Sequence, residues 1–202
     1  MRAKRSVRCA AVIVVALGLA VWVLPAWGQA GSTAKPADDN AALIRDLTAA
    51  RLATAKYATD LNRARHDGYG IITQMIPNMG YHFMNPNVSG FNVRKPPILV
   101  YEHTGKGRWQ LGALEWVFTS IPQSPPLPNA TFGFFPAACH YYDGTFIADP
   151  DQTTCPPVNP DTGSKFHFWH PDLYTMHVWI WYPNPAGLYS STNPLVAPFN
   201  NG

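Results

Sequence analysis

The sequence predicts an α+β fold: one N-terminal amphipathic helix packed on a strongly bent antiparallel sheet or partial β-barrel. Three observations point there. Residues 39–66 carry apolar groups at alternating spacings of four and three, the period of a helix with one buried face. Gly, Pro and Asn break the remainder into dense β-branched and aromatic blocks, the pattern of short antiparallel strands. Only 13% of the 202 residues are charged, while 13% are aromatic and 20 are proline, which favours strands and ordered loops over a helical bundle.

In chain order, residues 1–30 read as a signal peptide. Arg2, Lys4, Arg5 and Arg8 form a basic start, Cys9 to Leu24 is apolar, and Ala26-Trp27-Gly28 and Gly28-Gln29-Ala30 offer small residues for cleavage. The apolar run is shorter than the ~20 residues of a spanning helix. Residues 31–38 read as a flexible tether and 39–202 as a single domain. Leu43, Leu47, Ala50, Thr54, Tyr57, Leu61 and Ala64 form the stripe of the helix, with Thr54 its one polar interruption. A coiled-coil seam would share this spacing, but small Ala50 and Ala64 favour docking on the domain's own sheet. Ile71–Ile76 and Met79–Met84 read as short strands. Pro97–His103 and Trp109–Thr119 flank Thr104-Gly105-Lys106-Gly107-Arg108, a hairpin signal. The proline-rich segment 120–130 excludes a central strand. Phe132–Phe135, Thr145–Ala148 and Phe166–Trp169 are further short strands, and Leu173–Tyr182 is the strongest of all.

The composition also bounds partners. Four of the fifteen basic residues lie in the signal segment, so the remaining eleven face twelve acids and leave a charge near −1. No basic patch interleaved with aromatics points to nucleic acid. Removal of residues 1–30 leaves no membrane-spanning segment. Cys139 and Cys155 then remain as an even pair, which in an exported chain reads as a disulfide. Free thiols or metal ligands are the alternatives, although the spacing fits no common zinc pattern. Export places the protein outside the cytoplasm, secreted or in the periplasm and cell envelope. No nucleophile elbow, phosphate loop or dinucleotide fingerprint occurs.

The informative anomaly is ionisable groups inside apolar strands. His82 lies in Met79-Gly80-Tyr81-His82-Phe83-Met84, Glu115 in Leu111 to Phe118, and His177 in Tyr174 to Tyr182. A buried polar group without a partner costs roughly 1–3 kcal/mol, so each needs a hydrogen bond or a metal. Alternation puts Glu115 on one face with Leu111, Ala113 and Val117; His177 with Thr175, Trp179 and Trp181; and His82 with Gly80 and Met84. Two imidazoles and a carboxylate form a ligand set for a divalent metal, iron, zinc, manganese or copper, with a fourth position left open. The alternative is a non-catalytic binding or envelope protein in which these groups form a buried hydrogen-bond network. Among the other histidines, His140 adjoins Cys139 and the segment Tyr141-Tyr142-Asp143-Gly144, which reads as a disulfide-stapled surface loop or else a lid over the site, and His167 or His170 reads as a residue that orients a ligand or as an alternate ligand. Trp179 and Trp181 on one face, with Trp109 or Trp116 beside them, would form a stacking platform for a sugar, or an apolar pocket for another small molecule.

Several blocks occur in a fixed order: Tyr57 to Tyr69, Met79-Gly80-Tyr81-His82, Ile98 to Glu102, Leu114-Glu115-Trp116-Val117, His177 to Trp181, and Asn184-Pro185-Ala186-Gly187-Leu188-Tyr189 through Asn193-Pro194. In this the chain resembles a family of exported, functionally uncharacterised bacterial proteins, over about residues 50 to 197. His82, Glu115 and His177 fall inside the blocks. The resemblance implies a secreted single domain and brings no activity.

Overall fold

A computed structural model describes residues 36–201. The segment expected to be a signal peptide and most of the expected tether lie outside the described residues. Helix α1 spans Pro36–Thr54, so it begins inside the segment expected to be tether. A single 3₁₀ turn, Ala55–Tyr57, and a short helix α2, Leu61–His66, follow it. The expected stripe faces inward along both pieces: Ala50, Thr54, Tyr57, Leu61 and Ala64 are buried, and Leu43 and Leu47 half-buried.

The expected single helix is broken for a tertiary reason. In a continuous helix the Tyr57 and Ala58 carbonyls would accept N–H bonds from Leu61 and Asn62. Instead, Tyr57 O accepts the Tyr101 hydroxyl at 2.7 Å and Ala58 O accepts the Leu111 N–H at 2.8 Å. The sheet takes these carbonyls, and Asp60 restarts the helix by accepting from the Arg63 N–H at 2.9 Å. Loss of this cap in Asp60→Ala is expected to cost about 1 kcal/mol, read as an earlier urea midpoint with unchanged slope. Thr54, the polar interruption, donates to Ala50 O and accepts from Trp181 Nε1 at 3.0 Å.

Nine strands follow among the described residues: β1 Gly70–Ile76, β2 Gly80–Met84, β3 Ile98–His103, β4 Trp109–Phe118, β5 Gly133–Phe135, β6 Ala138–Tyr141, β7 Phe146–Ala148, β8 Phe166–His170 and β9 Leu173–Val178. They form a strongly curled, half-barrel antiparallel sheet in the order β1-β2-β3-β4-β9-β5, and a small sheet β7-β6-β8. The α+β reading with a bent sheet is therefore borne out. Strand β6 has no counterpart in the expected strands, and β9 stops at Val178, four residues short of the expected end. Past that point Trp179 N–H bonds to Leu188 O, while Trp181 and Tyr182 both donate to Gly112 O.

The curled sheet has two buried faces. Phe83, Leu99, Tyr101, Leu111, Leu114, Trp116, Met176 and Val178 pack under the helices. Ile98, Val100, Ala113 and Trp179 lie on the other face with Ile72 and Val196. Leu111 falls on the helix side, not beside Glu115 as alternation predicts. The register slips between Val100 and Tyr101, which pair with Ala113 and Leu111, so Gly112 is extra. A bulge of this kind reverses which way the residues before it point. A Cβ on Gly112 would meet the Trp179 ring at 3.1 Å, so the glycine is what lets that ring close over the bulge. At Gly80 (φ +106°) a Cβ would lie 2.6 Å from Tyr101 O, so the residue opening β2 has to be glycine.

Cys139 and Cys155 are bonded, as the even pair predicts. The bridge ties β6 to the loop before β8, and closing a loop of that length contributes about 3 kcal/mol in the chain-entropy model. Among the described residues no helix is long and apolar enough to cross a membrane.

Candidate metal centre

His82 is carried by β2, Glu115 by β4 and His177 by β9. Glu115 and His177 are direct cross-strand partners. His82 pairs with Val100, which pairs with Ala113, so it stands one strand further off and displaced along the sheet from Glu115. In a flat sheet β2 and β4 would be about 9–10 Å apart, because β3 lies between them. The strong curl of the sheet brings the side chains together across β3, where His82 lies beside Val100 and Glu115 beside Ile98. His82 Nε2 lies 3.5 Å from Glu115 Oε2, His177 Nε2 lies 3.7 Å from Glu115 Oε1, and the two Nε2 atoms are 3.5 Å apart. All three residues are at most 4% exposed. The structure thus unites the three residues singled out in the sequence, and they form a group able to hold a metal ion.

Electrostatics favour uncharged groups while the site holds no ion. Burial pushes the Glu115 carboxyl up to about 8. Burial holds His82 down to about 3, with nearby His177 adding to the effect, and holds His177 down to about 4. At neutral pH the contacts are therefore not ion pairs. Nor do they have the length of good hydrogen bonds, whose N···O distances lie near 2.9–3.0 Å. Glu115 Oε2 and His177 Nδ1 are buried without a hydrogen-bond partner. The two imidazoles approach different oxygens of Glu115, and with one ligand atom from each residue the three lie within 4.8 Å of one another, a spread that a bound ion would draw in. Bonds of 2.0–2.1 Å to a tetrahedral ion put neighbouring donors about 3.3–3.4 Å apart. His82 is oriented for this by Thr73, whose Oγ1 accepts the His82 backbone N–H at 3.2 Å and lies 2.7 Å from Nδ1. Donation of Nδ1–H to that oxygen leaves the Nε2 lone pair facing Glu115.

The three residues open on a cavity of about 510 Å³ between the two sheets. Its walls are mainly apolar, with Ile72, Met84, Ile98, Val117, Phe135 and Phe168 prominent. A second group of ionisable residues faces this cavity, and of its members the sequence pointed only to His170. His140, expected in a surface loop, is 1% exposed on β6 and lines the cavity. His170 lines it as well, while His167, on the opposite face of β8, stacks on Tyr142 at 4.2 Å. The unrecognised strand β6 is why His140 was misplaced. Glu102 was also missed: it is fully buried on β3, both its oxygens lack a partner, and burial pushes its carboxyl up to about 7.

The tryptophan platform is not formed. Trp179 is buried on the cavity side, with its indole N–H donated to Ser190 O at 2.7 Å. Trp181 turns to the helix side, where Arg51 lies over its ring at 4.2 Å. Trp116 packs under the helices and Trp109 against Tyr81 and Phe83. The kink after Val178 ends the alternation that would have put Trp179 and Trp181 on one face.

No protein-family profile, curated protein or solved structure matches the chain. The reading of this centre rests on its own geometry.

Proposed function

We propose that the protein is an exported metal-binding protein, with His82, Glu115 and His177 holding one divalent transition-metal ion of the zinc class. The observation that carries this is the convergence of three buried donors from three strands, one ligand atom of each lying within 4.8 Å of the others, with Glu115 Oε2 and His177 Nδ1 left without hydrogen-bond partners. Glu115 supplies the anionic ligand and the two imidazoles the neutral ones, leaving a position open toward the cavity. One carboxylate half-neutralises a divalent ion, so that position favours a ligand with an anionic head, and the apolar walls favour an apolar body. Export is supported by the basic and apolar N-terminal sequence and by the disulfide, a bond at home in oxidising compartments.

Elemental analysis after loading tests the reading. Protein stripped with a chelator and reloaded with zinc should retain one tight equivalent that His82→Ala, Glu115→Gln and His177→Ala each remove. A wild-type protein that takes up no tightly held zinc, iron, manganese or copper would leave these residues as a buried polar cluster without a metal role.

A further inference from the structure

The other wall of the cavity carries a pair of imidazoles whose hydrogen-bond inventory does not close. His140 Nδ1 lies 2.8 Å from Ile72 O, and His170 Nδ1 lies 2.6 Å from Pro171 O. A carbonyl only accepts, so both contacts require N–H on Nδ1. A neutral imidazole carries one ring proton, so both Nε2 atoms are left with lone pairs. Yet those atoms face each other at 3.0 Å. Three contacts need three positively polarised groups, and two neutral rings supply two. The missing one is either an extra proton or a metal ion.

The surroundings decide between them. His140 is 1% and His170 9% exposed. The Phe168 ring lies flat against His140 at 4.6 Å, and Phe135 and Phe146 flank the pair. Burial accordingly lowers both imidazoles below their ordinary value, His140 to about 4, so a shared proton is costly at neutral pH. For a metal the same arrangement is already organised. Carbonyls fix both rings in the tautomer that ligands need, and the disulfide at Cys139 braces the strand next to His140. Bonds near 2.05 Å to one ion would subtend about 95° at this separation, an ordinary angle between adjacent ligands.

We propose that His140 and His170 form a second metal site, a two-imidazole seat for a late first-row ion such as zinc or copper. It faces the same cavity as the His82–Glu115–His177 centre. The remaining positions open to the cavity, so an incoming small molecule meets cations on two walls. With two protein donors against three, and no carboxylate, this seat binds more weakly than the other. It stands whether or not the first centre binds metal, since none of its residues is shared.

Zinc titration of the chelator-stripped protein tests this, followed by calorimetry and by ¹⁵N imidazole NMR. The wild type should take a tight and a weaker equivalent. His140→Gln and His170→Gln should each weaken the second by at least about 100-fold while keeping the first. His82→Ala should lose the first and keep the second, so the two sites fail independently. The NMR requires no variant. Before zinc, both rings should show the neutral Nδ1–H form, and zinc should shift both Nε2 resonances. Retention of two equivalents by His140→Gln and His170→Gln, or an imidazolium signal in the wild type at neutral pH that zinc leaves unmoved, would overturn the proposal in favour of a trapped proton.

Discussion

Zinc added to the chelator-stripped protein at pH 7.5 is expected to raise its melting temperature by about 10 °C. A ligand present at a thousand times its dissociation constant stabilises the folded state by about 4 kcal/mol, and for a domain of this size each kcal/mol moves the midpoint by roughly 2–4 °C. Thermal scans of wild type, Glu115→Gln and His177→Ala check it, the two variants giving little of the shift. The pH dependence has a definite sign. Glu115, pushed up to about 8 by burial, must lose its proton to become a ligand, whereas His82 and His177, held down near 3 and 4, are already deprotonated. Zinc binding at pH 6.5 should release close to one proton, falling to none well above pH 8. Apparent affinity should climb about tenfold per unit in between. Calorimetry in buffers of different ionisation enthalpy counts that proton. A pH-independent affinity across this window would contradict Glu115 as a ligand.

Glu102→Gln is expected to make the metal-free protein more stable above neutrality and no more stable in mild acid. Glu102 is fully buried with both oxygens unpartnered, and burial raises its carboxyl from about 4.5 to about 7. Below pH 4.5 both folded and unfolded chains hold the proton. Between 4.5 and 7 the folded state keeps a proton that the unfolded chain releases, so stability falls as pH rises. At about 1.4 kcal/mol per unit this amounts to about 3 kcal/mol. Glutamine cannot ionise and removes the decline. Urea unfolding of both proteins from pH 4.5 to 8 should give a difference that grows with pH and levels off above 7. Contributions of Glu115 and the histidines are common to both proteins and cancel. Parallel stability curves would show that Glu102 does not ionise in the folded protein over this range.

Local patterns made much of this molecule legible. Glu115 and His177 stood out because each interrupts an apolar strand, and β4 and β9 are long enough for alternation to show their shared face. The helix stripe was equally plain, because burial of Ala50, Tyr57, Leu61 and Ala64 follows its spacing. What escaped depends on contacts distant in sequence. Tyr101 and Leu111 break the helix by taking its carbonyls, and nothing in residues 57–60 announces their arrival. The bulge at Gly112 reflects the space that Trp179 occupies above it. Strand β6 is four residues long, too short for a period, so His140 gave no sign that it faces a cavity.

The topology divides the cavity by origin. Strand β5 closes the six-stranded sheet beside β9, and between these two strands the chain leaves that sheet at Phe135 and returns at Leu173. Everything between, from β6 through the disulfide loop to β8, is one excursion from the frame of the sheet. His82, Glu115 and His177 belong to the frame, whereas His140, His170 and Cys139 all travel with the excursion. The pocket is thus composite, one wall architectural and the other modular. A homologue with a shortened or rewritten excursion would keep the three-residue centre while changing what that centre is able to face.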